Sequence, residues 1–469
     1  MSRGVAVSAM ERVEDDILKG AKVLIIDDEP GICRELEKLF EESGSVVSSL
    51  NSAERLFEAL EDELDLVLLD IWIPGRDGME VLQELQALNN PPCVIMMSGH
   101  ATIATAVKAT QMGAYDFLEK PLDIELTLER VRAGLHAQRS GSLAQEGWTH
   151  AEPKDSSEEA APGVASEARD SGSGAAPLHL NIQESIFGKQ PWAGECVQQR
   201  TIQHSIILYG TGLHSGKKSG MSLEPLPPDS GIHFVGVSGG PAVPAHVDFV
   251  DSTGFATTLK SGGSSVQTIE HLMSALHALG ISNLLVKCNE EVPILDGSSL
   301  EFLKAIREVG VCEQSGEWYA ITPPERIIYD NGTEQISIEP ADRLTVEYYL
   351  NYPAPLGEQE LVYTHHSIEH YEKEISPART FGFVQDVGYL QAKGLAQGGR
   401  MDNFILYGKD GALNQSLRFE NEAVRHKILD AIGDLYLLGR PLQAKITARM
   451  TGHSDNIGLL ELVRDGMPR

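Results

Sequence analysis

KVLIIDD, residues 22–28, is a short apolar run that ends in two acids. LDLVLLD (64–70) and PCVIMMSG (92–99) repeat the design, each closing on an acid or a small polar residue. Between and after them, GMEVLQELQAL (78–88) and TIATAVKATQMGA (102–114) are apolar at i, i+3 and i+4, the period of an amphipathic helix. Apolar strands interleaved with helices imply a doubly wound α/β domain, a parallel sheet covered on both faces. In such sheets polar residues at strand C-termini converge on one crevice. Asp27 and Asp28 end the first strand, Asp70 the third and Ser98 the fourth, and Lys120 follows FLE before Pro121. Three carboxylates repel unless a hard cation sits among them, and Mg²⁺ suits that role. A carboxylate beside Mg²⁺ can attack a phosphoryl donor while Lys120 and Ser98 contact the phosphoryl oxygens. A single acid at a strand end is usually a solvated cap; five such residues in register are not.

On these residues, and on MSGHATIATAVKATQMGAYDFLEKP (97–121), the segment resembles the receiver domain of two-component response regulators, nearest to the nitrogen-regulation type. The resemblance implies a flavodoxin-like fold of five parallel strands, with Asp70 as phospho-acceptor and Asp27, Asp28 and Asp70 as Mg²⁺ ligands. It further implies Lys120 as the charged partner, Ser98 and Phe117 as switch residues, and a sensor histidine kinase as partner. A receiver only switches, and no GxxxxGK[ST] loop is present to suggest an ATPase output.

Outward from this domain the character changes. EGWTHAEPKDSSEEAAPGVASEARDSGSGAAP (146–177) nearly lacks large apolar residues and reads as a flexible linker. The 469 residues carry a net charge of -30, split as -14 over 1–135, -4 over 136–200 and -12 over 201–469. No segment is basic, which argues against a nucleic-acid partner. Five scattered cysteines form no CxxC pair, so neither a disulfide framework nor a thiolate metal site is expected. With acids in the N-terminal stretch and no run of about 18 apolar residues, the expectations are no transmembrane segment and a cytoplasmic location. The boundaries read as 20–138 for the first domain, 139–199 for the linker, and 200–320 and 321–466 for two similar α+β halves.

The second region carries two helical patterns. IEHLMSALHALG (269–280) has Thr268 as a candidate N-cap and Gly280 as a stop; NEAVRHKILDAIGDLYLLG (421–439) starts at Asn421 and stops at Gly439. HKILD sets His426 and Asp430 one turn apart, with Asp434 a further turn on. Such a pair alone is most often a surface ion pair. With His271 from the other helix it makes a His₂Asp set for Zn²⁺ with one open position. Glu270 is then placed to take a proton from the attacking water. TGHSDN (451–456) reads as a glycine-flanked loop in which His453, its pKa raised by Asp434, protonates the leaving amine. Thr380 in SPARTFGF can donate to the oxyanion.

RTIQHSIILYGTGLHSGKK (200–218), QTIEHLMSALHALGISN (267–283), VPILDGSS (292–299), SPARTFGFVQDVGYLQAKGLAQGG (376–399), LRFENEAVRHKILDAIGDLYLLG (417–439) and TGHSDN together resemble the UDP-3-O-acyl-N-acetylglucosamine deacetylases, zinc amidases of lipid A synthesis. The resemblance implies two α/β sandwich halves with zinc between them, held by His271, His426 and Asp430. It implies Glu270 as base, His453 as acid, Asp434 as its orienter, and Thr380 and Lys427 at the oxyanion and substrate. Phe381 and LQAKGLAQGG (390–399) would take the 3-hydroxyacyl chain, Asp386 would touch the nucleotide, and His214 would lie beside the site without binding metal. The expected function is hydrolysis of the N-acetyl group of UDP-3-O-(3-hydroxyacyl)-N-acetylglucosamine, regulated by the receiver. The alternative is a catalytically silent nucleotide-sugar-lipid sensor coupled to a receiver.

Overall fold

A computed structural model describes residues 17–52, 63–74, 76–99, 103–140, 192–409, 411–413 and 416–467. Most of the expected linker lies outside these residues. The apolar runs form β1 (Lys22–Ile26), β2 (Val46–Leu50), β3 (Leu66–Asp70), β4 (Cys93–Ser98) and β5 (Asp116–Glu119), all parallel, in the order β2-β1-β3-β4-β5. Helices α1 (Pro30–Glu42), α2 (Gly78–Gln86), α3 (Ile103–Gln111) and α4 (Ile124–Ser140) complete the doubly wound fold. Every residue of β3 and β4 is buried, which is why these strands read as continuous apolar runs rather than alternating ones. Leu24, Ile26, Val67 and Leu69 join one apolar layer, and Val23, Ile25, Leu66 and Leu68 the other.

Residues 193–199, inside the 139–199 boundary read for the linker, belong to β6 (Ala193–Ile202). Its polar sequence hid a strand whose partner lies over a hundred residues downstream. Half I then contributes β7 (Ile206–Thr211), β8 (Lys218–Pro225), β9 (Ile232–Val235), β10 (Val243–Pro244), α5 (Glu270–Leu279), β11 (Leu284–Lys287) and α6 (Leu300–Val309). β12 (Val311–Ile321) returns antiparallel to β6. Half II contributes β13 (Ile327–Asp330), β14 (Gln335–Pro340), β15 (Thr345–Tyr352), β16 (Gly357–Thr364), α8 (Glu422–Leu435), β19 (Ala444–Arg449) and α9 (His453–Gly466). Inserted before α8 are β17 (Phe381–Phe383), α7 (Val384–Ala392) and β18 (Ile405–Tyr407), with β17 parallel to β18.

The two halves are topological copies. The sheets run β10-β9-β11-β8-β7 and β13-β14-β19-β15-β16, so each places its fifth strand between its second and third. In both sheets the fifth strand is parallel to the third and antiparallel to the second. In each half a helix, α5 or α8, leads into that fifth strand, and these two helices pack on each other. One apolar core joins the halves through Leu272 and Leu276 of α5 and Ile428, Leu429 and Ile432 of α8. The approach is close at Gly433, where an added Cβ would lie 2.1 Å from the Glu270 carbonyl oxygen.

Two local expectations change. Thr268 does not cap α5: it sits at φ +59°, Ile269 occupies the cap position, and the Thr268 hydroxyl donates to Glu291 instead. His453 is not in a loop but is the first residue of α9, because Asp455 Oδ2 accepts the Gly452 N–H at 2.8 Å and caps the helix. Gly280 and Gly439 end their helical segments in the left-handed conformation as expected. Among the described residues no helix is long and apolar enough to cross a membrane.

Candidate active site

The packing of α5 on α8 brings together the first turn of one and the middle of the other. Asp430 Oδ1 lies 3.3 Å from His426 Nε2 and 3.6 Å from His271 Nε2, and the two imidazoles meet edge-on at 4.9 Å. One ligand atom from each of the three buried residues falls within 4.8 Å of the others. Asp430 Oδ1 has no hydrogen-bond partner, an orphaned buried oxygen facing two imidazole nitrogens. His426 Nδ1 lies 3.1 Å from the Ala378 carbonyl, so its N–H donates there and Nε2 keeps its lone pair for the cluster. Burial pushes the His426 pKa down to about 4. Burial acts to raise Asp430, but His426 and Lys427 outweigh it and hold the carboxyl well below its ordinary value. Neutral imidazole and ionised carboxylate are the states that bind a metal, so the donor set fits Zn²⁺ with an open position.

Glu270, beside His271, is buried with Oε2 facing the Thr257 N–H at 3.3 Å. Burial raises its pKa. His453 Nε2 faces Glu270 Oε1 at 3.9 Å, and its Nδ1 lies 2.8 Å from Asp434 Oδ2. Burial opposes an imidazolium at His453, but Asp434 and Glu270 outweigh it and raise the pKa to about 9. Thr257 Oγ1 donates to Asp434 Oδ1 at 2.6 Å and Asn456 Nδ2 to Oδ2 at 2.8 Å, which fixes the carboxylate. Glu270 and His453 thus stand as a carboxyl group and an imidazole that favours its protonated form beside the metal-ligand set.

Lys427 Nζ is 3.3 Å from Asp430 Oδ2. The Phe381 ring meets the His426 ring edge-on at 6.2 Å, and Thr380, just before it, has its N–H held by the Gly297 carbonyl at 2.8 Å. His214 is buried next to these groups and lies outside the three-residue ligand set. Asp386 is the exception: it stands exposed on α7 and makes no hydrogen bond or ion pair among the described residues.

Several positioning groups were not foreseen from sequence. Glu291 accepts the His214 and Ser215 N–H groups at 2.8 and 2.9 Å and so fixes the GLHSG turn. Glu422 accepts from Arg379 Nε at 2.8 Å and from the Arg379 N–H at 3.0 Å, tying the chain before Thr380 to the start of α8. Thr257 carried no sequence signal, whereas Asn456 lies inside the TGHSDN stretch.

At the other crevice, Lys120 Nζ is 2.6 Å from Asp70 Oδ2, 2.8 Å from Asp27 Oδ2 and 3.2 Å from Glu29 Oε1. Glu29 is an addition to the expected set. Asp27, Asp28 and Asp70 each bring an oxygen within 4.8 Å of the others, an all-oxygen set suited to Mg²⁺. Burial raises Asp27 even against the pull of Lys120. Ser98 and Phe117 are buried.

Comparison with known proteins finds a separate match for each region. The family model of UDP-3-O-acyl N-acetylglycosamine deacetylase matches residues 199–464, and that of the response regulator receiver domain matches 23–132. The UDP-3-O-acyl-N-acetylglucosamine deacetylase of Thermodesulfovibrio yellowstonii is 37% identical over 272 residues, covering 57% of this chain and 92% of that protein. Its counterpart in Leptospira biflexa is 41% identical over 273 residues, with 57% and 90% covered. A solved response regulator receiver domain protein from Methanospirillum hungatei is 27% identical over 26% of this chain and 99% of its own, with a TM-score of 0.25.

Proposed function

The chain belongs to the UDP-3-O-acyl N-acetylglycosamine deacetylase family and carries a response regulator receiver domain, and from that membership we propose that it hydrolyses the N-acetyl group of UDP-3-O-(3-hydroxyacyl)-N-acetylglucosamine. It is an amide hydrolase by family, and the products of this reaction are the free amine and acetate. The observation that carries the reading is the orphaned Asp430 oxygen between two imidazoles, with Glu270 and a protonated His453 alongside. His271, His426 and Asp430 would hold the metal. The chemistry a Zn²⁺ supplies in such a donor set is Lewis acidity, which lowers the pKa of water and polarises a carbonyl.

Glu270 takes a proton from water as its oxygen forms the new bond to the acetamide carbon. Thr380 and Lys427 face the oxyanion that results. His453 then gives its proton to the amide nitrogen as the C–N bond breaks, and the amine leaves neutral. Glu270 returns the water-derived proton to His453, and the product departs as acetic acid, which gives its remaining proton to solvent to become acetate. Asp434 keeps the His453 ring aimed throughout and favours its protonated form.

In the receiver, Asp70 is the proposed phospho-acceptor for a sensor histidine kinase. Its carboxylate oxygen attacks phosphorus on a phosphohistidine, and the imidazole leaves with the electron pair of the broken N–P bond. Asp27, Asp28 and Asp70 would hold Mg²⁺, which would supply charge neutralisation for that transfer.

Acetate release by the purified chain tests the assignment. Glu270→Ala and His453→Ala are each expected to cut turnover by about 10²–10⁴-fold with the fold intact. Full turnover in either folded variant, or none in the wild type loaded with zinc, rejects it.

A further inference from the structure

The receiver and the deacetylase region share an apolar cluster. It runs from the receiver sheet (Val94, Met96) and α3 (Ala106, Ala109) to Val384 and Val387 of α7, the last two being 2% and 1% exposed. Helix α3 packs directly on α7. Beside that contact, Arg130 of α4 donates from Nη2 to the Ala412 carbonyl at 2.7 Å, while its Nη1 lies 3.4 Å from buried Asp116 at the start of β5. Phe117 follows Asp116, and Lys120, three residues on, holds Asp70. The receiver thus grips residues within 384–409 and 411–413 through a strand and helices that connect directly to its phospho-acceptor crevice.

The gripped segment also borders the metal-ligand set. α7 begins immediately after β17, whose Phe381 ring meets the His426 ring and whose partner strand β18 contains Leu406 of the shared cluster. Farther along, the Gln397 and Gly398 N–H groups donate to the carbonyls of His214 and Leu213 at 3.3 and 2.9 Å. The described part of this segment, 384–409 and 411–413, therefore touches the receiver on one side and two walls of the deacetylation site on the other.

We propose that this contact is the regulatory interface: the phosphorylation state of Asp70 acts on deacetylation by repositioning segment 384–413 through α3 and Arg130. This rests on the deacetylase reading above. An acyl phosphate on Asp70 draws Lys120 from the carboxylate to the phosphoryl oxygens and alters β5 and its neighbours. A contact that exists in only one receiver state gives the two states different affinities for the substrate.

The experiment compares the full chain with and without Mg²⁺ and beryllofluoride, a phosphoryl mimic. Hydrogen exchange over residues 384–413 and the KM and kcat of acetate release are both read. Wild type is expected to change exchange in this segment and to shift KM or kcat by roughly fivefold or more. Arg130→Gln and Val387→Lys, each still binding beryllofluoride by ¹⁹F NMR, are expected to lose most of that response. Unaltered exchange and rates in an active wild type overturn the proposal, as does a wild-type response retained in both variants. A chain that releases no acetate defeats the deacetylase reading, while the exchange measurement still tests the interface.

Discussion

Asp434 Oδ2 holds His453 Nδ1 at 2.8 Å, so that one carboxylate on α8 orients and charges the imidazole that opens α9. The raised pKa means that the folded protein prefers the protonated ring. The stabilisation this contributes is complete below the ordinary imidazole pKa and is lost as pH rises through about 9. Deacetylation is therefore expected to hold up to about pH 9 and to fall on the alkaline side as the ring deprotonates. Asp434→Asn is expected to move that alkaline limb toward the ordinary imidazole range without emptying the metal site. A pH–rate profile with parallel metal analysis checks both; an unmoved limb defeats the role given to Asp434.

Asp430 is expected to decide metal content. Its Oδ1 faces both histidines and its Oδ2 faces Lys427, so Asp430→Ala removes a ligand and strands a buried cation together. The loss in zinc affinity should exceed the roughly 10–100-fold typical of groups one shell farther out. Elemental analysis after dialysis against a weak chelator measures it. The double variant Asp430→Ala/Lys427→Met, which removes the stranded charge, is expected to recover thermal stability but not metal. Recovery of metal would remove Asp430 from the ligand set.

The receiver crevice was legible because its strands are buried on both faces and end in the reactive residues, so a local pattern carried both fold and site. The helix HKILD was legible for a similar reason: one turn of spacing puts His426 and Asp430 on one side. What escaped detection was non-local. Thr257 meets Asp434 across 177 residues, and β6 finds its partner only after the whole of half I. The glycine beside His453 suggests a loop, although Asp455 supplies a capping carboxylate three residues into the helix. Thr268 is the opposite case: its position suggests a cap, but its hydroxyl serves the buried Glu291 rather than a helix end.

Glu422 and Arg379 form a buried ion pair, 0% and 3% exposed, whose geometry sets the chain leading into Thr380 and Phe381. Removing one charge leaves the other buried without compensation, at a cost of about 3–5 kcal/mol. Glu422→Gln is accordingly expected to lower the unfolding midpoint of the deacetylase region markedly and to raise KM, because Thr380 and Phe381 lose their anchor. Differential scanning calorimetry and steady-state kinetics provide the two readings. Unchanged stability would mean that the Arg379 contacts to Ser416 and the remaining amide suffice.

Gly433 permits the helix contact on which the metal-ligand set depends. A Cβ there would lie 2.1 Å from the Glu270 carbonyl oxygen and 2.9 Å from its carbon, both backbone atoms that cannot rotate away. Gly433→Ala must push α8 from α5, and with it His426 and Asp430 from His271. Overpacking of this kind costs about 1–3 kcal/mol. The expected outcome is a lower melting temperature together with weaker zinc binding. Gly388→Ala is the matched control: Gly388 is also helical, but nothing lies within 4 Å of the position its Cβ would take. Relief of glycine's backbone freedom there should stabilise α7 by about 0.5–1 kcal/mol. If Gly433→Ala instead matches wild type in both melting temperature and zinc content, the close approach of the two helices is not what sets the ligand geometry.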